Sequence, residues 1–111
     1  GAGGFALAVV DILSGEVYAM RKQFEDYLIK QGYAVKTPSG KPSTVYDYIK
    51  RIDKVCEIES ITWHNLAMNI SEVVIQYDSG GCKENIGKQS HHSVINALKR
   101  FSEFLKFNRH P

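Results

Sequence analysis

The sequence predicts a small, mainly α-helical protein, a bundle of four to five helices. Two segments indicate this most clearly, residues 43–57 and residues 90–105. In each, apolar residues recur at the three- and four-residue spacing that places them on one face of a helix. Each also opens with a hydroxyl-bearing residue, which is typical of a helix N-cap. The 111 residues are enough for one domain with a modest core.

Residues 1–19 are predicted to form a leader or a short β-hairpin ahead of a helical domain over residues 20–108. β-Branched and aromatic residues in 5–12 and 16–20 flank a Ser-Gly turn, which is typical of a hairpin. Because an isolated hairpin is marginal in water, it would pack on the helices, pair with another chain or stay disordered. Met20 is an alternative natural start, which would make the preceding residues foreign or upstream sequence.

The first predicted helix covers residues 20–31 and is followed by a loop. Gly32 stands just beyond its end, where glycine is common because it accepts a left-handed backbone. Residues 37–42 hold two prolines and a glycine, which predict an exposed loop. The apolar residues at helical spacing are Phe24, Tyr27 and Leu28.

The second predicted helix begins with Ser43 or Thr44 as its cap. Asp47 follows Thr44 by three residues, in the sense of a capping box. The apolar stripe that marks this helix consists of Val45, Tyr48, Ile49, Ile52, Val55 and Cys56.

Two short helices are predicted next, over residues 61–67 with Thr62 as N-cap and over residues 72–77 with Ser71 as N-cap. The second contains β-branched residues, which lose rotamer freedom in a helix. Trp63 is predicted to be a core residue or a lid on the core. Residues 78–87 are predicted to be a loop. The two cysteines, Cys56 and Cys82, fit no metal or redox spacing and are predicted to be free thiols.

The last predicted helix is the clearest, with Ser90 as its cap. Its core-facing stripe consists of Val94, Ala97, Leu98, Phe101, Phe104 and Leu105. The basic residues of this helix fall on its other faces.

Positive charge is unevenly distributed along the chain, although the net charge is only +2. Residues 21–54 carry eight basic and four acidic side chains, and residues 83–111 carry six basic and two acidic ones. Residues 55–82 contain four acidic residues and no lysine or arginine. Two helices with positive charge indicate a polyanionic partner, and the alternative is charge scattered over a solvated surface.

Four hydrophobic motifs match a known pattern. They are Phe24-Glu25-Asp26-Tyr27-Leu28, Thr44-Val45-Tyr46-Asp47-Tyr48 with the amphipathic residues 49–57, Ile61-Thr62, and the series Ile95, Leu98, Phe101, Phe104, Leu105. Over residues 20–107 the chain resembles the N-terminal core-binding, SAM-like domain of phage-type integrases, the tyrosine recombinases. It departs from that pattern in longer links at residues 37–41 and 78–88.

The resemblance implies that the protein binds duplex DNA through its second and last helices. Lysine and arginine neutralise phosphates and release counterions, so basic helices favour this partner independently of the family. Asn96 and Arg100 lie four residues apart, so both could reach base edges from one helix face. The alternative is that Arg100 pairs with Glu103 or Asp53. The candidate DNA-binding residues are Lys50, Arg51, Lys54, Lys88, Ser90, His92, Asn96, Lys99 and Arg100.

No catalytic residues, metal ligands or cofactor are predicted. In the family that the chain resembles, the chemistry belongs to a separate C-terminal domain, so the chain is expected to be a binding fragment or a stand-alone module and not an enzyme. The tyrosines have no arginine–histidine constellation around them. A zinc site from His91, His92 and Cys82 would have the wrong spacing and too few ligands.

The rival hypothesis is a protein-interaction or oligomerisation module without a nucleic-acid role, because fold does not fix function. The edge of an N-terminal hairpin would favour such self-association. The longest apolar run, residues 5–10, is too short to span a bilayer, and no signal-peptide pattern is present. The expected compartment is therefore the cytoplasm, with no membrane partner.

Overall fold

The computed structural model describes residues 15, 18–36, 38–39 and 44–109, and within these it confirms a mainly α-helical fold. These residues form six helices and no β-strand. The helices are α1 over residues 18–30, α2 Thr44–Glu59, α3 Trp63–Met68, α4 Ile70–Tyr77, α5 Glu84–Gly87 and α6 Gln89–Arg109.

The N-terminal hairpin prediction is wrong for its last residues. Tyr18 and Ala19 are helical and not strand, Met20 is helical as the helix predicted over residues 20–31 requires, and residues 5–12 lie outside the described residues. Met20 packs against the core one helical turn before Phe24, so burial on the helix face outweighs the strand preference of the local sequence.

The predicted role of Gly32 at the end of α1 is confirmed. Its φ of 97° is in the left-handed region that glycine adopts without strain. The Gly32 N–H donates to the Ile29 carbonyl at 3.0 Å, and the Tyr33 N–H donates to the Leu28 carbonyl at 3.1 Å. These two bonds are a Schellman motif, which satisfies the last carbonyls of α1 and directs Tyr33 back towards the bundle.

One of the predicted short-helix caps is confirmed and the other is wrong. The Thr62 hydroxyl accepts a hydrogen bond from the Asn65 N–H at 3.1 Å and caps α3. Helix α4 begins at Ile70, ahead of Ser71, and its N-cap is Asn69 without a side-chain cap bond. The Asn69 side chain instead donates to the Asn65 carbonyl at 2.9 Å. Helix α4 therefore follows α3 through one corner residue and has no room for a separate cap at Ser71.

The predicted loop at residues 78–87 contains the short helix α5, which packs on α4 and α6. Gly87 makes this packing close: a Cβ atom placed there would lie 1.9 Å from the Tyr77 carbonyl oxygen. Only glycine fits this contact. Sequence reasoning missed α5 because its single turn is fixed by packing and not by a periodic pattern.

Ser90 does not cap the last helix, so that prediction is wrong. Ser90, His91 and His92 have φ values of 55°, 57° and 67° and form a left-handed turn between α5 and the regular part of α6. The His92 N–H donates to the Lys88 carbonyl at 3.1 Å across this turn. Regular right-handed geometry begins only after His92.

The core lies between α2 and α6, with α1, α3 and α4 closing it. Phe24, Trp63 and Phe101 form its aromatic centre, with edge-to-face ring pairs whose centroids are 5.2–6.2 Å apart. Trp63 is only 3% exposed, which confirms its predicted core position. Among the helices that the structure describes, none combines the length and the apolar character needed to cross a membrane.

Candidate nucleic-acid interface

The two predicted DNA-binding helices are neighbours, because α2 packs along α6. On α6, His92 and Asn96 are exposed, whereas Lys99 is half-buried beside Asp78 and Arg100 is half-buried beside Tyr33. On α2, Lys50 and Lys54 point to solvent. The candidates of α2 and α6 therefore belong to two helices that pack on each other.

Arg100 is the most firmly held of the candidate residues. Its guanidinium donates to a Glu103 carboxylate oxygen at 2.8 Å and to the Tyr33 hydroxyl at 3.4 Å. The hydrogen bond to Tyr33 and the Glu103 charge raise its pKa above the ordinary value, so it stays charged. The Tyr33 ring in turn packs edge-on against Tyr48 of α2 at 5.6 Å. Arg100 therefore joins α6 to the residues that follow α1.

Of the two carboxylates predicted as alternative partners of Arg100, Glu103 pairs with it and Asp53 does not. Asp53 accepts from Arg21 at 2.8 Å and from the Trp63 indole N–H at 2.8 Å. The Arg21 guanidinium also lies 5.7 Å from the centre of the Trp63 ring. Asp53 is therefore a link between α1, α2 and α3 and is not available to α6.

Lys99 and Lys88 each form an ion pair with a carboxylate. Lys99 lies 3.3 Å from Asp78, the residue that ends α4. The Ser79 backbone N–H and then Lys99 lower the pKa of Asp78. Lys88 lies 2.7 Å from Glu84 of α5 and lowers the pKa of that carboxyl. Lys88 is the C-cap residue that follows α5, and the left-handed turn separates it from the regular part of α6.

The basic residues of α2 are matched by acidic neighbours. Arg51 pairs with Asp47 at 3.1 Å, and Lys54 approaches Glu57 at 4.0 Å. Within the part of the chain that the structure describes, Lys50 is the one candidate lysine or arginine without an ion pair. Helix α2 holds three basic and four acidic residues, whereas α6 holds four basic residues and one acidic one. The excess of positive charge therefore belongs to α6 and not equally to both helices.

Sequence reasoning missed a polar cluster at the C-terminal end of α2. Glu59 accepts a hydrogen bond from the Tyr77 hydroxyl at 2.9 Å and forms an ion pair with Lys83. The Lys83 ammonium also lies 5.6 Å from the centre of the Tyr77 ring. The Lys83 hydrogen bond lowers the pKa of Glu59, and burial raises the pKa of Tyr77. The members are 18 and 24 residues apart, so no local motif could have indicated them.

The described residues bring no three histidine, cysteine, aspartate or glutamate side chains together as metal ligands. Both cysteines are free, as predicted; Cys56 is buried and Cys82 is exposed. The candidate side chains of α2 and α6 offer charge and hydrogen bonding.

Comparison of the chain with protein-family models, with curated proteins and with solved structures finds no match in any of the three. The resemblance to recombinase core-binding domains therefore stays a prediction from the sequence motifs.

Proposed function

We propose that this protein is a binding module for duplex DNA that contacts the phosphate backbone mainly through α6. The observation that supports the proposal is the charge of this helix, four basic residues against one acidic residue, together with an exposed Asn96 on its regular part and an exposed His92 in the left-handed turn before it. The resemblance to recombinase core-binding domains favours the same partner. A role in binding without catalysis is part of this proposal.

The local ion pairs around these cations do not oppose phosphate binding. Exposed salt bridges contribute about 0–1 kcal/mol, so a lysine can exchange its carboxylate for a phosphate at little cost. In the unbound protein, Asp78 holds Lys99 and Tyr33 holds Arg100. Fixed side chains lose less rotamer freedom on binding than free ones.

In this proposal α6 is the main contact and α2 the lesser one. Lys50 and Lys54 are exposed on a helix that packs on α6, but the four carboxylates of α2 reduce their contribution. Asn96 is the residue best suited to a base edge, because a side-chain amide both donates and accepts hydrogen bonds. We therefore expect weak sequence preference and strong dependence on salt.

The test is a fluorescence anisotropy titration of a labelled duplex of about 20 base pairs, which is two helical turns. We expect affinity to fall steeply between about 50 and 200 mM salt. The double substitution Lys99→Gln/Arg100→Gln should weaken binding and reduce the slope of log affinity against log salt by about 2.

The matched control is Lys22→Gln/Lys30→Gln, which removes the same charge from α1. This variant should keep the slope of the unaltered protein. Absence of binding at low salt would contradict the proposal and favour the rival function as a protein-interaction module. Equal losses in the two double variants would show that net charge, and not α6, determines binding.

A further inference from the structure

A groove with a volume of about 320 Å³ lies between α1 and the C-terminal end of α6, away from Asn96 and the start of α6. Its walls are aromatic: Tyr27, Phe104 and Phe107. Its rim is polar and consists of Gln23, Asp26, Lys30, Gln31 and Asn108. This arrangement of an apolar floor within a polar rim is typical of a protein contact surface.

Phe107 is the exposed part of this surface. Its side chain is 64% exposed, although its ring lies 5.6 Å from Tyr27 and extends the row of rings that begins at Phe104. The Phe107 ring therefore leaves apolar surface area exposed to water. Covering that area would be favourable, in proportion to the area removed from solvent.

The charges on the rim are complementary to a second copy of the same rim. Asp26 and Lys30 lie one helical turn apart on α1. Asp26 makes only an exposed ion pair with Lys22 at 3.6 Å, and Lys30 has no ion pair within the described residues. When two α1 helices pack antiparallel about a two-fold axis, a residue on one side of the axis in one copy faces the residue on the other side of the axis in the second copy. Lys30 of each copy then faces Asp26 of the other.

We propose that a second copy of this chain docks on the α1–α6 groove and forms a symmetric, weakly associating dimer. In this dimer the rings of Phe107 are covered by α1 of the opposite copy, and two Lys30–Asp26 pairs set the antiparallel register. The two α6 polar faces stay uncovered, so the dimer would present both of them. Because the contact area is small, the association is expected only at high protein concentration.

The test is sedimentation equilibrium of the full chain over a range of concentrations, with charge-reversed variants. Asp26→Lys alone and Lys30→Asp alone should each weaken association at least about tenfold, because each places like charges together twice. An equimolar mixture of the two variants should associate again, because every pair in the mixed dimer then joins a lysine to an aspartate. Recovery in the mixture is specific to the proposed register.

Two further variants complete the test. Lys50→Asp changes the charge by the same amount as Lys30→Asp but lies on α2, and it should associate like the unaltered protein. Phe107→Ser should weaken association while the thermal melt followed by circular dichroism stays unchanged, because this side chain is mostly exposed.

Three results would overturn the proposal. The unaltered chain could remain monomeric at all concentrations. The mixture of charge variants could fail to recover association. Association could also be indifferent to Asp26, Lys30 and Phe107, which would place the contact elsewhere, for example in residues 1–14.

Discussion

Glu59 links Lys83 of the 78–88 segment to the C-terminal end of α2. It receives the Tyr77 hydroxyl and the Lys83 ammonium, and its side chain is only 19% exposed. A carboxylate in such a place is stabilised by its partners against the cost of burial. The lowered pKa of Glu59, caused first by the Lys83 hydrogen bond and opposed by burial, shows that the partners dominate.

The first prediction concerns pH and follows from this residue. A carboxyl whose pKa is lower in the folded state stabilises the fold above its unfolded pKa, about 4.3 for glutamate, and loses that contribution as the pH falls. Replacement Glu59→Gln should therefore reduce the free energy of unfolding at pH 7 by about 1–3 kcal/mol. The difference between the two proteins should shrink progressively below about pH 4.3. Denaturant unfolding between pH 7 and pH 3, followed by Trp63 fluorescence, measures both effects.

The control for this prediction is Glu57→Gln. Glu57 is 75% exposed and approaches Lys54 only at 4.0 Å, so its replacement should change stability little at any pH. A loss at Glu59 that persists undiminished at pH 3 would contradict the electrostatic explanation and indicate that packing alone is responsible.

At the scale of elements, α5 is positioned by contact with the end of α4. Gly87 is buried against the Tyr77 backbone, and Lys83 at the start of α5 pairs with Glu59 of α2. A four-residue helix has little stability of its own, so its place depends on these contacts.

The second prediction tests this contact with Gly87→Ala. The added methyl group would meet the Tyr77 carbonyl oxygen, so α5 must move away from α4. We expect a loss of about 1–3 kcal/mol in the free energy of unfolding, as for other overpacked sites. Gly15→Ala is the matched control, because nothing lies within 4 Å of a Cβ atom there. A fully stable Gly87→Ala protein would show that α5 is not held by this contact.

The sequence predicts the helices whose apolar residues are periodic and misses those fixed by tertiary contacts. Helix α2 was predicted over residues 43–57 and covers Thr44–Glu59, and the end of α1 at Gly32 was also predicted. In contrast, α5 and the corner at Asn69 lack a local pattern, because packing against Tyr77 and bonds to Asn65 define them. Ser90 was predicted to be a cap because serine is a common N-cap residue and it stands just before the apolar stripe of α6. The residue type does not reveal that its backbone has a positive φ.

The candidate site was predictable only in part, for a similar physical reason. Sequence reasoning found the cations of α2 and α6 and the pair between Arg100 and Glu103, which are three residues apart. It could not find that Tyr33 holds Arg100 or that Asp78 holds Lys99, since those partners are separated by 67 and 21 residues. Long-range partners depend on how the helices pack, and periodicity does not specify that.

At the scale of the whole molecule, the two thiols lie in opposite environments. Cys56 lies in the core, whereas Cys82 is exposed in the 78–83 segment. Burial, and then the Asp53 charge, raises the pKa of Cys56 to about 12. Since the thiolate is the reactive form, Cys56 is protected both by access and by protonation.

The third prediction uses this contrast to follow global unfolding. At pH 8 a thiol reagent such as 5,5′-dithiobis(2-nitrobenzoate) should modify one thiol of the native protein rapidly and the second only as fast as the core opens. In denaturant both should react at once. The Cys82→Ser variant should lose the fast phase and keep the slow one. Rapid reaction of both thiols in the native protein would mean that the core around Cys56 opens independently of global unfolding.

The left-handed turn at Ser90, His91 and His92 has a consequence for how these positions can vary. Three successive residues other than glycine with positive φ each cost about 1–2 kcal/mol relative to a right-handed backbone. Asparagine, aspartate and glycine tolerate this conformation best, whereas β-branched residues and proline are excluded from it. In a library in which every residue is replaced in turn, residues 90–92 should therefore accept mainly glycine and the polar residues that tolerate positive φ, such as asparagine, aspartate and histidine, although all three positions are exposed. The usual tolerance of surface positions would resume at Ser93, where the backbone returns to the right-handed helix.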